Sequence, residues 1–492
     1  MSTLQPRDAR SGAPIGSALQ ETTLDQVDAI AAAAGTAFET WSGSNGDARA
    51  TLLRGLASAL EQHRTALVEL ADRETALGQA RLNGELDRTA FQLRRFGDLA
   101  LQGVPFARVD DPEVAGPPPT GHPHMVRQQV PLGPVAMYSA SNFPFAFSVL
   151  GGDTASALAA GCPVVVKAHV GHLLLSQRVF DLAQGVLNEL VAPAGLLGMV
   201  RGRSAGVRLI EHPLIAAGAF TGSNSGGAAL KAAADARPRP IPFYGELGSI
   251  NPVVALPQAV QSNGTALATA LAGSITQGTG QFCTSPGLVI VIDSAAAKEA
   301  NDNFVASLRD LLSDQATHAM LTAGMRQAFV DGVGTWKELG ARPLLHTPTA
   351  DVAPRPALAE VVAAEVVAHP DLLHEVFGPA SLVVRASSVD EVLQVLSAVG
   401  GSLTVTMWGA ESDDQDVRRL VRAAMSIAGR VLFKGVPTGV AVTAAQQHGG
   451  PWPSSTQPMS TSVGDAALSR FLRPVALQDA PAWLLGLAGR PL

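Results

Sequence analysis

An α/β fold built on mostly parallel sheets is predicted by three observations. Apolar runs of strand length alternate with helical stretches over residues 164–236, the same rhythm returns over 287–435, and the composition is that of a packed, enzyme-sized chain. The 492 residues are 47% hydrophobic and 16% charged, with 49 Gly and 33 Pro, which excludes disordered, collagen-like and coiled-coil classes. Such a length allows about three domain-sized units. Strands that alternate with helices pair in parallel, carry helices on both faces and place ligands at their carboxyl ends.

In order along the chain, VVV at 164–166 reads as a strand, 173–187 as a helix and LGMV at 197–200 as a strand. AAGAF at 216–220 is a further strand, ending in the glycine turn TGSNSGG before helical AALKAAADA. Lys167 and Gly222 thus stand at strand carboxyl ends. Downstream, GLVIVID (287–293), SLVVRAS (381–387), LTVTMWG (403–409) and GRVLFKG (429–435) are strands, with helices over 296–312 and 389–399. A second α/β domain is the simplest account. The Gly-, Pro-, Gln- and Ser-rich sequence up to Thr461 is expected to cover a site or a partner subunit, and 111–124 to be a surface crossing.

Two stretches, 128–152 and 247–292, are dominated by apolar and neutral residues, and the second contains no Asp, Glu, Lys, Arg or His. Prolines and glycines break both into pieces too short for a membrane span, so both are read as buried interior. The net charge is −7, without basic runs, and this lacks the footprint of a nucleic-acid binder. The N-terminal twenty residues have no apolar core of a signal peptide, and Asp8 is out of place in a transit peptide, so the expected location is the cytoplasm. The two cysteines, Cys162 and Cys283, lie outside any CxxC or Cys/His cluster, which argues against a disulfide framework and a metal site.

Cys283 lies in GTGQFCTSPG, a glycine-flanked turn able to present a thiol, whereas Cys162 in AAGCPVVVK reads as a small buried hydrophobe. Glu246 in PFYGELGSINP ends an apolar strand. A carboxylate there is either an ion-pair partner or a base with a raised pKa. Lys167 can snorkel to solvent or hold a ribose or phosphate. The turn FTGSNSGG can offer backbone N–H groups to a pyrophosphate, although it does not match GxGxxG.

SNFPFAFSVLGGDTASALAAGCPVVVKAH, FTGSNSGG, FYGELGSINP, GQFCTSPG and EVFGPASLVV together resemble the aldehyde dehydrogenase superfamily, from about Ala29 to the C-terminus. The wording of the first and third, with PTGVAVTAAQQHGGPWPSST, is most similar to the branch of 2-oxoglutarate semialdehyde dehydrogenases and NADP-dependent fatty aldehyde dehydrogenases. The resemblance implies two Rossmann-related parallel-sheet domains and a small oligomerisation element. It places a cofactor domain at 1–116 and 136–247, a catalytic domain at 248–440, and an oligomerisation hairpin and C-terminal segment at 117–135 and 441–492. It also implies a homodimer or homotetramer acting on a small aldehyde, with no nucleic-acid or membrane partner.

Carried over by motif, Cys283 resembles the nucleophile, Glu246 the general base with a pKa near neutral, and Asn142 the oxyanion-hole amide. Glu375 and Phe377 in EVFGP, Lys167, and the turn of Gly222, Ser223 and Gly227 resemble the cofactor site. Phe143, Phe147 and Phe282, with the 436–461 segment, are expected to line the substrate pocket. Val170 replaces the glutamate of NAD-preferring relatives, and His169, Arg201 and Arg203 offer positive charge, so NADP is expected with NAD possible; both arginines read equally well as surface residues. Lys434 departs from the asparagine of this branch. Arg473 and Lys434 are the candidate cations for a substrate carboxylate. A fatty or aromatic aldehyde is the alternative substrate. A CoA-acylating relative usually lacks the glutamate found here as Glu246. A non-catalytic member of the fold is the alternative of another class.

Overall fold

Two parallel sheets position everything that follows; the computed structural model describes residues 2–345, 351–437 and 439–485. In the first sheet, strands Leu197–Val200, Val164–Lys167, Val135–Tyr138, Ala217–Thr221 and Phe243–Glu246 lie side by side in that order, all neighbours parallel. The strand order reverses at Val135–Tyr138, the switch point where α/β sheets open a ligand crevice at their carboxyl ends. Lys167, Thr221 and Glu246 are the last residues of their strands.

The second sheet runs Arg342–Leu345, Ala357–Val362, Ala380–Ala386, Leu288–Ile292, Val253–Ala255, Ser402–Trp408 and Ala428–Leu432, parallel except for its first pair. Its central strands are buried on both faces, which is why they read as unbroken apolar runs rather than alternating ones. The fold class is the α/β class with parallel sheets that the sequence predicts.

The charge-free run 247–292 departs from expectation, because a 20-residue helix, Pro257–Thr276, lies within it, kinked at Asn263. Proline is tolerated in a first helical turn, and the exposed Gln261, Ser262 and Asn263 are neutral but polar. Absence of charge therefore did not mean complete burial. Four helices precede the first sheet, Leu24–Trp41, Gly46–Gln62, Arg64–Thr75 and Gln79–Leu101. Their Leu53, Leu86, Leu93 and Phe96 share one core with Val135, Val164 and Val166.

Strands Arg108–Asp111, Met125–Pro131 and Leu472–Gln478 form a separate antiparallel sheet, with 111–120 exposed at its edge as the surface crossing requires. The tail beyond the second sheet returns to the first. Leu247 N–H donates to the Ser454 carbonyl (2.9 Å) and Thr456 N–H to that of Gly245 (3.0 Å). It thus packs over the carboxyl end of the edge strand Phe243–Glu246. Position 438 of the 436–461 segment and positions 486–492 of the C-terminal segment lie outside the described residues. Among the described residues no helix is long and apolar enough to cross a membrane.

Candidate active site

Cys283 follows a single helical turn, Gln277–Gly280, at the end of the long helix. Thr279 holds φ 57°, a left-handed conformation that is strained for a β-branched residue. Two hydrogen bonds stabilise it: its hydroxyl donates to the His318 carbonyl (3.1 Å) and accepts from the His318 N–H (2.9 Å). Gly280 cannot be replaced, since a Cβ there would lie 2.1 Å from the Gly378 carbonyl carbon. The turn carries Phe282 and a half-buried Cys283 to the carboxyl end of the first sheet's edge strand.

Glu246 ends that strand and is 4% exposed. Facing it, the tail places fully buried His448 with Nε2 2.9 Å from Glu246 Oε1 and 3.5 Å from Cys283 Sγ. The Ser462 hydroxyl donates to Glu246 Oε2, Ser462 N–H donates to the His448 carbonyl (2.9 Å), and the Thr461 hydroxyl accepts from His448 N–H (2.8 Å). One loop thus orients the imidazole and the carboxylate together. The thiol, imidazole and carboxylate donor atoms all lie within 4.8 Å of one another, a cluster that no local Cys/His spacing in the sequence reveals.

Burial raises the Glu246 pKa, but His448, the Ser462 hydroxyl and Arg470 outweigh it and hold the carboxyl below its usual value. This corrects the expectation of a base near neutrality: Glu246 is buried, yet the side chains of His448 and Ser462 bond to it and favour its charged form. Burial, then the negative charges of Glu246 and Glu375, push the Cys283 thiol well above its ordinary value, with Arg88 opposing. The thiol therefore needs a proton acceptor close by, and His448 is in place. Cys162 keeps its bland role, fully buried, its Sγ 3.4 Å from the Phe471 carbonyl and its pKa pushed up to about 11 by burial.

The Asn142 amide donates to the Gln281 carbonyl (3.0 Å), two residues before Cys283, which uses one of its two N–H bonds. Phe143 packs edge-on against Phe147 and Phe282, with centroids 5.4 and 5.3 Å apart, in one apolar cluster with Val440 and Val463. The expected pocket residues are together.

A cleft next to the Cys283 turn is lined by Ser249, Gly280, Phe282, Glu375 and Phe377. Burial raises the Glu375 pKa to about 7, while the Ser249 N–H, donating to its Oε1 at 3.2 Å, lowers it. Ser223 caps the helix Asn224–Asp235 by accepting from Gly226 N–H. Gly227 lets that helix sit on the sheet, because a Cβ would come 2.2 Å from Leu247 Cδ2. This is the chemistry a dinucleotide requires: a capped helix N-terminus at the strand end for phosphates, and a half-buried carboxylate, Glu375, for sugar hydroxyls.

The aldehyde dehydrogenase family model matches residues 3–473. The chain belongs to the aldehyde dehydrogenase family. It is 43% identical to alpha-ketoglutaric semialdehyde dehydrogenase 2 of Azospirillum brasilense, over 98% of this chain and 92% of that one. It is 38% identical to alpha-ketoglutaric semialdehyde dehydrogenase of Acinetobacter baylyi, with the same coverage. These relatives fall in the branch that the sequence motifs resemble. Among solved structures it shares its fold with 1-pyrroline-5-carboxylate dehydrogenase from Thermus with bound NAD, at TM-score 0.80 and 19% identity, covering 97% of this chain and 90% of that one. The apo betaine aldehyde dehydrogenase of Staphylococcus aureus superposes at TM-score 0.80 and 20% identity, covering 98% and 93%. This aldehyde dehydrogenase is therefore an enzyme that oxidises an aldehyde.

Several expected residues sit differently. His169 cannot supply positive charge: burial, then His172 and Lys167, holds its pKa well below the usual value, and its Nδ1 accepts from Gly171 N–H (3.0 Å). Lys167 is desolvated and feels the carboxylate of Glu21, which lies against Gly202, where a Cβ would be 2.9 Å from Glu21 Cδ. An acid thus stands in this region despite Val170. Arg203, Lys434 and Arg473 are exposed. Sequence reasoning missed His448, Ser462, and Arg81 and Arg88 of the helix Gln79–Leu101, which stack on the pocket phenylalanines. The only available signal for His448 was its motif, QQHGGPWPSST.

Proposed function

We propose that this aldehyde dehydrogenase oxidises 2-oxoglutarate semialdehyde to 2-oxoglutarate through a covalent intermediate on Cys283, with NADP preferred and NAD accepted. The observation that carries the chemistry is the convergence of Cys283 Sγ, His448 Nε2 and Glu246 Oε1, with Nε2 in contact with both of the others. The names of the two relatives sharing 43% and 38% identity support the substrate.

The Cys283 thiol gives its proton to the buried pair that faces it, His448 Nε2 and Glu246 Oε1, which share it through their hydrogen bond. Sγ then bonds to the aldehyde carbon, and the carbonyl π pair moves to oxygen, where the Asn142 amide and the Cys283 N–H stabilise the oxyanion of the thiohemiacetal. A bound nicotinamide dinucleotide supplies the hydride acceptor that leaves a Cys283 thioester. Glu246 next removes a proton from the attacking water, whose oxygen bonds to the acyl carbon while the Cys283 sulfur departs and recovers a proton. Glu375 and Phe377 would hold the nicotinamide end, Lys167 the adenosine ribose, and Gly222, Ser223 and Gly227 the pyrophosphate. Cofactor preference is set by two opposed features, the absence of an acid at Val170 and the presence of Glu21 beside Gly202.

A long-chain or aromatic aldehyde is the second reading, favoured by the phenylalanine and valine lining of the pocket. Initial rates with 2-oxoglutarate semialdehyde, a long-chain aldehyde and an aromatic aldehyde, each with NAD and NADP, decide between them. The highest kcat/KM should belong to the semialdehyde with NADP; a higher value for either hydrophobic aldehyde overturns the substrate assignment.

A further inference from the structure

The pocket wall that faces Cys283 contains two half-buried cations, Arg81 and Arg88, that feel the charge of Glu85 but make no ion-pair contact with it. Arg81 and Arg88 lie two helical turns apart on Gln79–Leu101 and so project from the same face. The Arg81 guanidinium carbon sits 5.0 Å from the Phe143 ring centroid and 4.6 Å from that of Phe282; Arg88 sits 5.9 Å from Phe143 and 5.4 Å from Phe147. Each is therefore stacked on the rings expected to hold the substrate.

Their polar atoms are only partly used. One nitrogen of Arg81, Nη2, donates to the Asn142 carbonyl (2.5 Å), while its buried Nη1, and the buried Nε and Nη2 of Arg88, have no hydrogen-bond partner. Arg81 Nη1 points at the turn before Cys283, since a Cβ at Gly278 would lie 2.9 Å from it. Glu85 stands between the two arginines in sequence, but its Oε1 accepts from the N–H groups of Phe145 (2.7 Å) and Ala146 (3.0 Å). Among the described residues neither guanidinium is within ion-pair distance of a carboxylate. Burying a cation unpaired is costly, and a guanidinium fork matches a carboxylate through two parallel hydrogen bonds.

We infer that Arg81 and Arg88 clamp the distal carboxylate of an ω-semialdehyde, holding the chain along the Phe143, Phe147 and Phe282 rings so that its aldehyde carbon meets Cys283. The inference deepens the proposed substrate and rests on it: a carboxylated aldehyde completes the site, whereas a purely apolar one leaves both charges desolvated. It also replaces Arg473 and Lys434, which are exposed, as the cations for that carboxylate.

The test compares 2-oxoglutarate semialdehyde with pentanal, which has the same chain length and no carboxylate, in the wild type, Arg88→Met, Arg81→Gln and Arg88→Lys. Thermal unfolding midpoints identify any variant that misfolds. The kcat/KM ratio of semialdehyde over pentanal should fall about 100-fold in Arg88→Met, mainly through KM, less in Arg81→Gln, and partly recover in Arg88→Lys. Competitive inhibition by glutarate should weaken in parallel. If the wild type prefers the semialdehyde and folded variants keep that ratio, the clamp is wrong while the substrate assignment stands. A wild type without preference for the semialdehyde over pentanal overturns both.

Discussion

Replacing His448 with Gln isolates the step on which the first half of the reaction depends. The substitution keeps a buried polar side chain able to donate to Glu246, but removes the nitrogen that lies 3.5 Å from Cys283 Sγ. At its ordinary pKa of 9.0 a cysteine is about 1% thiolate at pH 7. Burial and the nearby carboxylates push Cys283 higher still, so without a local acceptor the reactive fraction is smaller. General-base assistance typically contributes about 10²–10⁴-fold. Both the burst of reduced cofactor and the rate of alkylation by iodoacetamide should therefore fall at least about 100-fold in His448→Gln at pH 7. The sign of the pH dependence follows. In the variant the alkylation rate should climb about tenfold per pH unit up to pH 9, because the thiol, held above its ordinary value, must ionise without the imidazole. Wild-type burst and alkylation rates in His448→Gln, with an unchanged pH profile, would refute the relay.

Three further outcomes follow from the structure. Cys162→Ala should retain activity and lose about 1–2 kcal/mol of stability in chemical denaturation, the cost of a small core truncation; loss of turnover in a folded Cys162→Ala protein would undo its structural assignment. Val170→Glu should raise the KM for NADP about tenfold relative to NAD, and Glu21→Gln should lower it by a few-fold, since one adds and the other removes negative charge near the adenosine ribose; cofactor ratios that do not move in either variant place selection elsewhere. Because the Glu375 pKa is raised to about 7, its protonated form predominates below that pH, and only the carboxylate accepts from two sugar hydroxyls at once. Cofactor affinity should thus improve as pH rises from 6 to 8, and Glu375→Gln should abolish that trend; a trend of equal size in the variant assigns the titration to another group.

What was legible in the sequence were features whose cause is local. The strands at 164–167 and 288–292 are short apolar runs bounded by breakers, and Cys283, Glu246 and Lys167 sit at the turns and strand ends that follow from them. What was missed depends on distance along the chain. His448 comes to Cys283 across 165 positions, carried there by a tail with little regular structure. Arg81 and Arg88 flank Glu85 on a helix, a spacing that reads as ordinary surface pairing until the Phe145 and Ala146 N–H groups are seen to hold Oε1 of that buried carboxylate away from ion-pair contact with either guanidinium. The direction of the Glu246 shift was misjudged for the same reason, since its compensating partners, His448 and Ser462, come from the tail.

The central claim is that aldehyde oxidation passes through a thioester on Cys283 whose hydrolysis needs Glu246. It is tested most directly by acid-quenching Glu246→Gln after mixing with 2-oxoglutarate semialdehyde and NADP, then locating the adduct by intact-mass and peptide analysis. The account predicts about one equivalent of reduced cofactor per active site, little turnover afterwards, and an acyl group on the peptide carrying Cys283. An adduct on Cys162, or a full burst with Cys283 unmodified, would contradict it.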